Sequence, residues 1–137
     1  MKIGLDIHGV IDRNPDLLAA TARSLVTRGD DVWLITGAPW GDRILKTLDL
    51  CGFRPGHNYT AFFSIVDYHK SIGTEMWEDK NGYLWTDDEP WDRTKGDFAK
   101  KVGLDTHWDD TVRYGDWFPE GVFRLYSPED FKKEYGL

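Results

Sequence analysis

Cysteine and long apolar runs are scarce in this sequence, and acidic residues outnumber basic ones. Cys51 is the one cysteine, so no disulfide can form within the chain, and we expect a reducing, cytoplasmic compartment. No apolar run approaches the roughly 20 residues of a membrane-spanning helix, which argues against a membrane partner. The first residues have the pattern of an ordinary strand instead of a basic region followed by a long apolar segment, so we expect no signal peptide.

The charge balance also limits the partners of the chain. It has 24 acidic and 17 basic residues, for a net charge of −7. Nucleic-acid backbones and anionic membrane surfaces both attract basic proteins, so we expect neither as the main partner. The length of 137 residues predicts one domain, residues 1–137, large enough to fold around its own core.

The order of the predicted elements indicates the fold class. Residues 1–12, MKIGLDIHGVID, predict a buried first strand that delivers Asp6 to its carboxyl end, with a tight turn at Gly9. The strand and helix patterns that follow predict an α/β fold with a parallel five-stranded sheet. The later strands are predicted at Val32–Thr36, Tyr59–Val66, Leu104–Trp108 and Gly121–Tyr126. The helices are predicted from Pro15 to the stop at Gly29 with Asn14 as N-cap, from Asp42 to Cys51, from a capping box of Thr94 and Asp97 to Gly103, and from Pro128 to about Tyr135 with Ser127 as N-cap.

An Asn-Gly pair in the middle of the chain predicts a small β-hairpin. Asn81 and Gly82 lie between residues 76–77 and residues 83–85, which are apolar and largely aromatic, and this is a strong hairpin signal. We expect the hairpin to span about Thr74 to Thr86 and to project from the sheet. Its aromatic side chains would pack on the body of the protein or cover a pocket, where they would offer a stacking surface for a base or sugar.

Polar residues follow three of the predicted strands. Asp6 follows the first, Thr36 ends the second, and Asp109 with Asp110 follows the fourth. Because the carboxyl ends of parallel strands meet at one edge of a sheet, we expect these groups to converge there, with Lys95 nearby. Carboxylates that converge repel each other, and hard oxygen ligands favour Mg²⁺ as the neutralising cation. Thr36 and Lys95 would then bind a substrate phosphate.

At these residues the chain resembles the haloacid dehalogenase (HAD) superfamily, whose four motifs match in order over nearly the whole length. Asp6 in LDIHGVID is similar to the family's nucleophilic aspartate, and Thr36 in WLITG to the Thr or Ser of the second motif. Lys95 is similar to the lysine of the third motif, and Asp109-Asp110 in THWDD to the metal-binding fourth motif. The other candidates for the lysine are Lys70, Lys100 and Lys101.

The resemblance implies a Rossmann-like three-layer sandwich with a minimal cap and a phosphoryl-transfer site. It implies a Mg²⁺-dependent phosphatase for a small phosphorylated substrate, in which Asp6 attacks phosphorus to give an aspartyl-phosphate that water hydrolyses. Mg²⁺ would be held by Asp6, by the backbone carbonyl of His8 and by Asp109 or Asp110. The substrate-binding residues would be Thr36, Gly37, Trp40 and Lys95.

One residue departs from the family's pattern. Phosphatases of the family carry a second aspartate two residues after the nucleophile as general acid and base, and this chain has His8 there. An imidazolium can protonate a leaving alkoxide, so His8 is a candidate acid. The alternative is a catalytically weak or inactive protein that binds a phosphorylated ligand or partner. Carbon–halogen hydrolysis, which needs an aspartate nucleophile and no metal, is a third hypothesis that Asp109 and Asp110 argue against.

Three further residues, His107, Trp40 and Arg43, are candidates for contacts at the site. Alternation along a strand turns His107 and Asp109 to the same side, and together with His8 they would suit a transition metal. Trp40 either lines the pocket or covers the edge of the sheet. Arg43 is expected near the site, where it would contact a substrate anion or lie in solvent.

Overall fold

The computed structural model describes residues 1–137 as seven strands and five α-helices. The strands are β1 (Lys2–Leu5), β2 (Asp31–Thr36), β3 (Ala61–Ser64), β4 (Trp77–Glu78), β5 (Leu84–Trp85), β6 (Thr106–Asp109) and β7 (Phe123–Leu125). The helices are α1 (Pro15–Thr27), α2 (Asp42–Leu50), α3 (Ile65–Ser71), α4 (Asp88–Val102) and α5 (Pro128–Glu134). Most predicted ends lie within about two residues of the observed ends, which is the usual uncertainty at the ends of elements.

Five of the strands form one parallel sheet in the order β3-β2-β1-β6-β7. This is the predicted α/β fold with a five-stranded parallel sheet, and it is consistent with a Rossmann-like architecture. The chain moves outward from β1 to β2 and β3, and then returns to the other side of β1 through β6 and β7. In sheets of this kind, ligands bind at the carboxyl ends of the strands beside that reversal.

Two hydrophobic clusters fill the space between the sheet and its helices. One lies against α1, α2 and α5 and includes Leu18, Ile44 and Phe131. The other lies against α3 and α4 and includes Ile65 and Ala99. The sheet therefore lies between two helical layers. None of the helices combines the length and the apolar character that crossing a membrane requires.

The predicted third strand, Tyr59–Val66, is too long. β3 ends at Ser64 and α3 begins at the next residue. The Ser64 hydroxyl accepts a hydrogen bond from the Asp67 N–H at 3.1 Å and so caps the helix. Val66 is buried on a helix instead of a strand, and short apolar runs do not distinguish these two cases in a sequence.

The predicted start of the helix that ends near Gly103 is also wrong, because Thr94 and Asp97 form no capping box. α4 begins at Asp88, and the Thr94 hydroxyl donates a hydrogen bond to the Pro90 carbonyl inside the helix. Pro90 is tolerated because the N–H groups of the first helical turn have no partner within the helix. Lys95 therefore lies in the interior of α4, on its buried side, instead of at the start of a helix.

Asn14 does not cap α1 as predicted. Its side chain makes no capping hydrogen bond, and its Oδ1 accepts one from the Tyr126 hydroxyl at 2.7 Å instead. Asn14 thus connects the turn after β1 with the end of β7.

The predicted cap of α5 is confirmed, since the Ser127 hydroxyl accepts a hydrogen bond from the Asp130 N–H at 3.1 Å.

The hairpin is confirmed, with β4 and β5 pairing antiparallel inside the predicted range Thr74–Thr86. The Asp79 carboxylate accepts hydrogen bonds from the N–H groups of Asn81 at 2.8 Å and Tyr83 at 3.0 Å. Gly82 has a φ of 81°, in the left-handed region that glycine adopts without steric cost. These contacts fix the turn of the hairpin.

Candidate functional site

The candidate site lies where β1 and β6 end, beside each other in the sheet. Asp6 follows β1, Asp109 is the last residue of β6, and Asp110 comes next. The Asp6 N–H donates a hydrogen bond to the Trp108 carbonyl at 3.0 Å, which continues the strand pairing up to the site. Because the strand order reverses at β1, the connections after β1 and β6 diverge and leave a crevice for a ligand.

Three carboxylates meet in this crevice. Oxygen atoms of Asp6, Asp109 and Asp110 all lie within 4.8 Å of one another, so the structure brings together the acids that the sequence analysis expected to converge. Asp6 and Asp109 are buried, whereas Asp110 is exposed. Ionised carboxylates at this distance repel each other strongly in a partly dry environment, so the arrangement requires positive charge nearby.

Lys95 supplies one positive charge. Its Nζ lies 3.0 Å from Asp6 Oδ1 and 2.7 Å from Asp109 Oδ2, and the side chain is only 2% exposed. It also lies over the ring of Tyr114, 5.1 Å from the ring centre, a favourable position for a cation. The other three candidate lysines are all exposed: Lys70, Lys100 and Lys101.

The charges of this group depend on one another. Burial raises the pKa of Asp6 well above its ordinary value, against the opposing effect of Lys95. Burial also works against ionisation of Asp109, but Lys95 and His107 outweigh it and lower the pKa of Asp109 below its ordinary value. Burial disfavours the charge of Lys95 too, yet the two carboxylates raise its pKa. Asp6 is therefore the carboxylate that a further cation would help to ionise.

His107 is a buried partner of this group whose role the sequence analysis missed. Its Nε2 donates a hydrogen bond to Asp109 Oδ2 at 2.9 Å, and its ring stacks on Phe118 with centres 5.0 Å apart. Burial lowers the pKa of His107, so the neutral ring is the donor. Gly4, its partner in the neighbouring strand, makes room for the ring, because a β-carbon there would lie 2.5 Å from His107 Nδ1.

Asp109 and Asp110 differ in the number of hydrogen bonds that their carboxylate oxygens already accept. Asp109 Oδ2 already accepts hydrogen bonds from Lys95 and His107, and its Oδ1 accepts one from the Thr111 N–H at 3.1 Å. Asp110 accepts only the Thr111 hydroxyl, at 3.3 Å. Asp110 is therefore the acid with lone pairs available to a ligand.

Gly9 allows the turn after Asp6 to approach Asp110. A β-carbon at Gly9 would lie 2.0 Å from Asp110 Oδ2, and the φ of Gly9 is 86°, which other residues rarely adopt. The glycine therefore permits both the shape of the turn and its contact with the acid.

His8, two residues after Asp6, is exposed and contacts Asp12. Its Nδ1 donates a hydrogen bond to Asp12 Oδ2 at 3.0 Å, while Asp12 Oδ1 accepts the Gly9 N–H at 2.7 Å. The His8 side chain is 57% exposed. The hypothesis of a transition-metal site shared by His8 and His107 is not supported, because His107 is buried against Asp109 and only carboxylates form the candidate metal group.

Thr36 and Gly37 lie at the same edge of the sheet. Thr36 ends β2, which pairs with β1 through Leu5 and Leu34, so Thr36 and Asp6 are at the carboxyl ends of neighbouring strands. The Thr36 hydroxyl accepts the Ala38 N–H at 3.2 Å. Trp91 of α4 packs over Gly37, where a β-carbon would lie 3.0 Å from the indole ring.

The side chains of Trp40 and Arg43 both contact aromatic rings. The Trp40 ring stacks on Phe62 of β3 with centres 3.9 Å apart, which places it over the edge strand, the second of its two predicted positions. Arg43 lies in α2, within the helix predicted from Asp42 to Cys51, and its guanidinium lies 5.8 Å from the ring centre of Tyr83 in the hairpin. Neither residue belongs to the charged group around Asp6.

Comparison with models of protein families finds no match to the chain, and comparisons with curated proteins and with solved structures find none either. Any assignment of function therefore depends on the geometry of the site and on the resemblance of its motifs.

Proposed function

We propose that the chain is a Mg²⁺-dependent phosphomonoester hydrolase of the HAD type, with Asp6 as its nucleophile. The observation that carries the proposal is the position of Lys95, whose ammonium group bridges Asp6 and Asp109 at the carboxyl edge of the sheet. An ammonium group has three N–H donors, and these two bonds leave one for a phosphoryl oxygen.

The residues present fit a magnesium ion. Hard carboxylate oxygens are the ligands that Mg²⁺ prefers, and the three acids lie close enough to share one ion. Asp6, Asp110 and the backbone carbonyl of His8 would hold it, since the oxygens of Asp109 already accept three hydrogen bonds. Bound Mg²⁺ supplies positive charge, which keeps Asp6 ionised and offsets the charge of the phosphoryl group.

The reaction itself is carried by side chains of the chain. The Asp6 carboxylate attacks phosphorus, the bond from phosphorus to the ester oxygen breaks, and the leaving alkoxide takes a proton from His8. Water then attacks phosphorus of the aspartyl-phosphate and gives a proton to the now neutral His8, and the bond from phosphorus to the Asp6 oxygen breaks, which releases inorganic phosphate and restores both residues. Lys95 and the Thr36 hydroxyl would bind phosphoryl oxygens during both steps.

The contact between His8 and Asp12 suits a proton carrier. Because Nδ1 donates to the Asp12 carboxylate, the other ring nitrogen of the exposed side chain is free to give and take a proton. A carboxylate behind the imidazole also holds the ring in one orientation, as in other acid–base pairs. This arrangement supports turnover with histidine in place of the family's second aspartate.

The test is phosphate release from p-nitrophenyl phosphate with Mg²⁺ and with a chelator. We expect activity that requires the metal, is abolished by Asp6→Asn, and survives Asp16→Asn, a matched change at an exposed acid in α1. Activity that persists in Asp6→Asn would contradict the proposed nucleophile. Metal-dependent binding of phosphate analogues without turnover, with activity gained in His8→Asp, would favour the phosphoryl-ligand-binding alternative.

A further inference from the structure

The hairpin exposes three aromatic side chains that the proposed chemistry does not use. Trp77 and Tyr83 are each 48% exposed, and Trp85 is 37% exposed. Trp77 and Trp85 are directly opposite in the antiparallel register, so both side chains lie on the same face of the hairpin. Neighbouring large aromatic groups left in water often mark a ligand-binding surface.

The topology places this hairpin at the same edge of the sheet as the acids. β5 ends at Trp85, shortly before α4 begins, and α4 leads back to the start of β6. Because β6 runs parallel to β1, the beginning of α4 lies at the carboxyl edge, where Asp6 is. The hairpin therefore extends from the rim of the candidate site.

Contacts between side chains connect the hairpin to the groups proposed to bind phosphate. The rings of Trp85 and Trp91 pack with centres 4.7 Å apart, and Trp91 lies over Gly37. The Trp91 indole N–H donates a hydrogen bond to the Tyr114 hydroxyl at 3.0 Å, and the Tyr114 ring lies under the Lys95 ammonium. A chain of packed side chains thus connects the hairpin with the site.

Contacts also hold two of the three aromatic rings, Trp85 and Tyr83, in place before any ligand binds. The Trp85 indole N–H donates a hydrogen bond to Asp79 Oδ2 at 2.9 Å, and the same carboxylate fixes the turn. Tyr83 rests against Arg43 of α2. A ring that stacks on such a surface does so at a lower entropic cost than on mobile side chains.

The charge around the hairpin limits which phosphorylated compounds fit. Its segment and the start of α4 are rich in acids, and these would repel further phosphate groups beyond the one held at Lys95. The acids are Glu75, Glu78, Asp79, Asp87, Asp88 and Glu89.

We propose that Trp77, Tyr83 and Trp85 stack against a planar aromatic ring carried by the phosphomonoester substrate, which has no second phosphate. The inference rests on the proposed function, since the same substrate places its phosphate at Asp6 and Lys95. Stacking on aromatic side chains tolerates many rings, so the surface selects a class, such as nucleoside monophosphates or aryl phosphates, over ring-free esters.

The test compares kcat/KM for adenosine 5′-monophosphate and glycerol 3-phosphate, both with Mg²⁺. We expect Trp85→Ala to lower the value for the ring-bearing ester by about tenfold and to leave that for the ring-free ester unchanged. Tyr68→Ala removes an exposed aromatic ring from α3 and should change neither value. Equal losses for both esters in Trp85→Ala, or no loss, would overturn the proposal. Trp77→Ala gives the same test if Trp85→Ala does not fold.

A binding measurement separates the failure of this inference from that of the proposed function. In Asp6→Asn, which lacks the nucleophile, adenosine 5′-monophosphate should bind more tightly than glycerol 3-phosphate, and Trp85→Ala in that background should remove the difference. If this holds while neither ester is hydrolysed by the unmodified chain, the aromatic subsite stands and the phosphatase proposal fails. If both esters are hydrolysed and bound alike, the subsite is refuted and the phosphatase proposal stands.

Discussion

Replacing Lys95 by methionine tests the electrostatics of the site directly. Methionine keeps the length and the apolar stem but removes the charge that bridges Asp6 and Asp109, and all three side chains are 10% exposed or less. Removing one member of a buried ion pair costs about 3–5 kcal/mol, since the partner stays buried without compensation. Against a typical total stability of about 5–15 kcal/mol, we expect Lys95→Met to lose a large share of its free energy of unfolding.

The pH dependence of this loss has a definite sign. In the unmodified chain, Lys95 and His107 lower the pKa of Asp109 below its ordinary value, so its contribution to stability is present at neutral pH and lost as the pH falls through the acid range. Without the ammonium group, less positive charge opposes the effect of burial at both carboxyls, so the pKa of each is higher than in the unmodified chain. The variant therefore loses stability as the pH rises from about 4, and its deficit relative to the unmodified chain is larger at pH 8 than at pH 5.

Urea unfolding followed by tryptophan fluorescence at the two pH values measures both effects. Lys101→Met is the matched control, because Lys101 is an exposed residue of the same helix, and it should change the free energy of unfolding by less than about 0.5 kcal/mol. A deficit in Lys95→Met below about 1 kcal/mol, or one that does not change between pH 5 and pH 8, would refute the buried bridge.

Two further substitutions test the geometry around the bridge. A β-carbon at Gly96 would lie 2.3 Å from the Trp117 carbonyl oxygen, so Gly96→Ala should force α4 away from that backbone and lower the free energy of unfolding by about 1–3 kcal/mol, and an unchanged urea midpoint would contradict this packing. Mg²⁺ at 100 times its dissociation constant should stabilise the chain by about 2.7 kcal/mol. Asp110→Asn should remove most of that gain, because Asp110 is the exposed acid with lone pairs available to the ion, and an undiminished gain in this variant would show that Asp110 is not a ligand.

The convergence of Asp6 and the acids near residue 110 was predictable because it depends on a regular property of the fold. Once the alternating pattern predicts parallel strands, the residues that follow them must meet at one edge, whatever the lengths of the helices between them. The positions of Thr36 and Asp109 follow from the same argument. For this reason a coarse assignment of elements was sufficient to locate the site.

The position of His107 beside Asp109 was only half predictable. Alternation along β6 places both on one side of the strand, but the space for the imidazole comes from Gly4, which is opposite His107 only because β1 pairs with β6. A sequence does not state which strands are neighbours. A glycine inside a predicted buried strand was the available signal, since such glycines often mark a close approach by another group.

One predicted helix start was misplaced, that of α4, whereas α1, α2 and α5 begin at the predicted Pro15, Asp42 and Pro128. Thr94 and Asp97 have the spacing of a cap, yet α4 begins earlier, at Asp88. The apolar face of a helix is set by packing against the sheet, and a local capping pattern is a weaker preference that packing can override. Lys95 was identified through the order of the motifs, and the prediction about its helix was wrong.

The bridge between Asp6 and Lys95 joins residues 89 positions apart, and this matters while the nascent chain leaves the ribosome. β1 emerges first, but its neighbour β6 and the ammonium group on α4 are made much later. Until then no cation offsets the free-energy cost of burying the Asp6 carboxylate, so packing of the early strands around Asp6 is only weakly favourable. We therefore expect the site to assemble only after α4 and β6 have been synthesised.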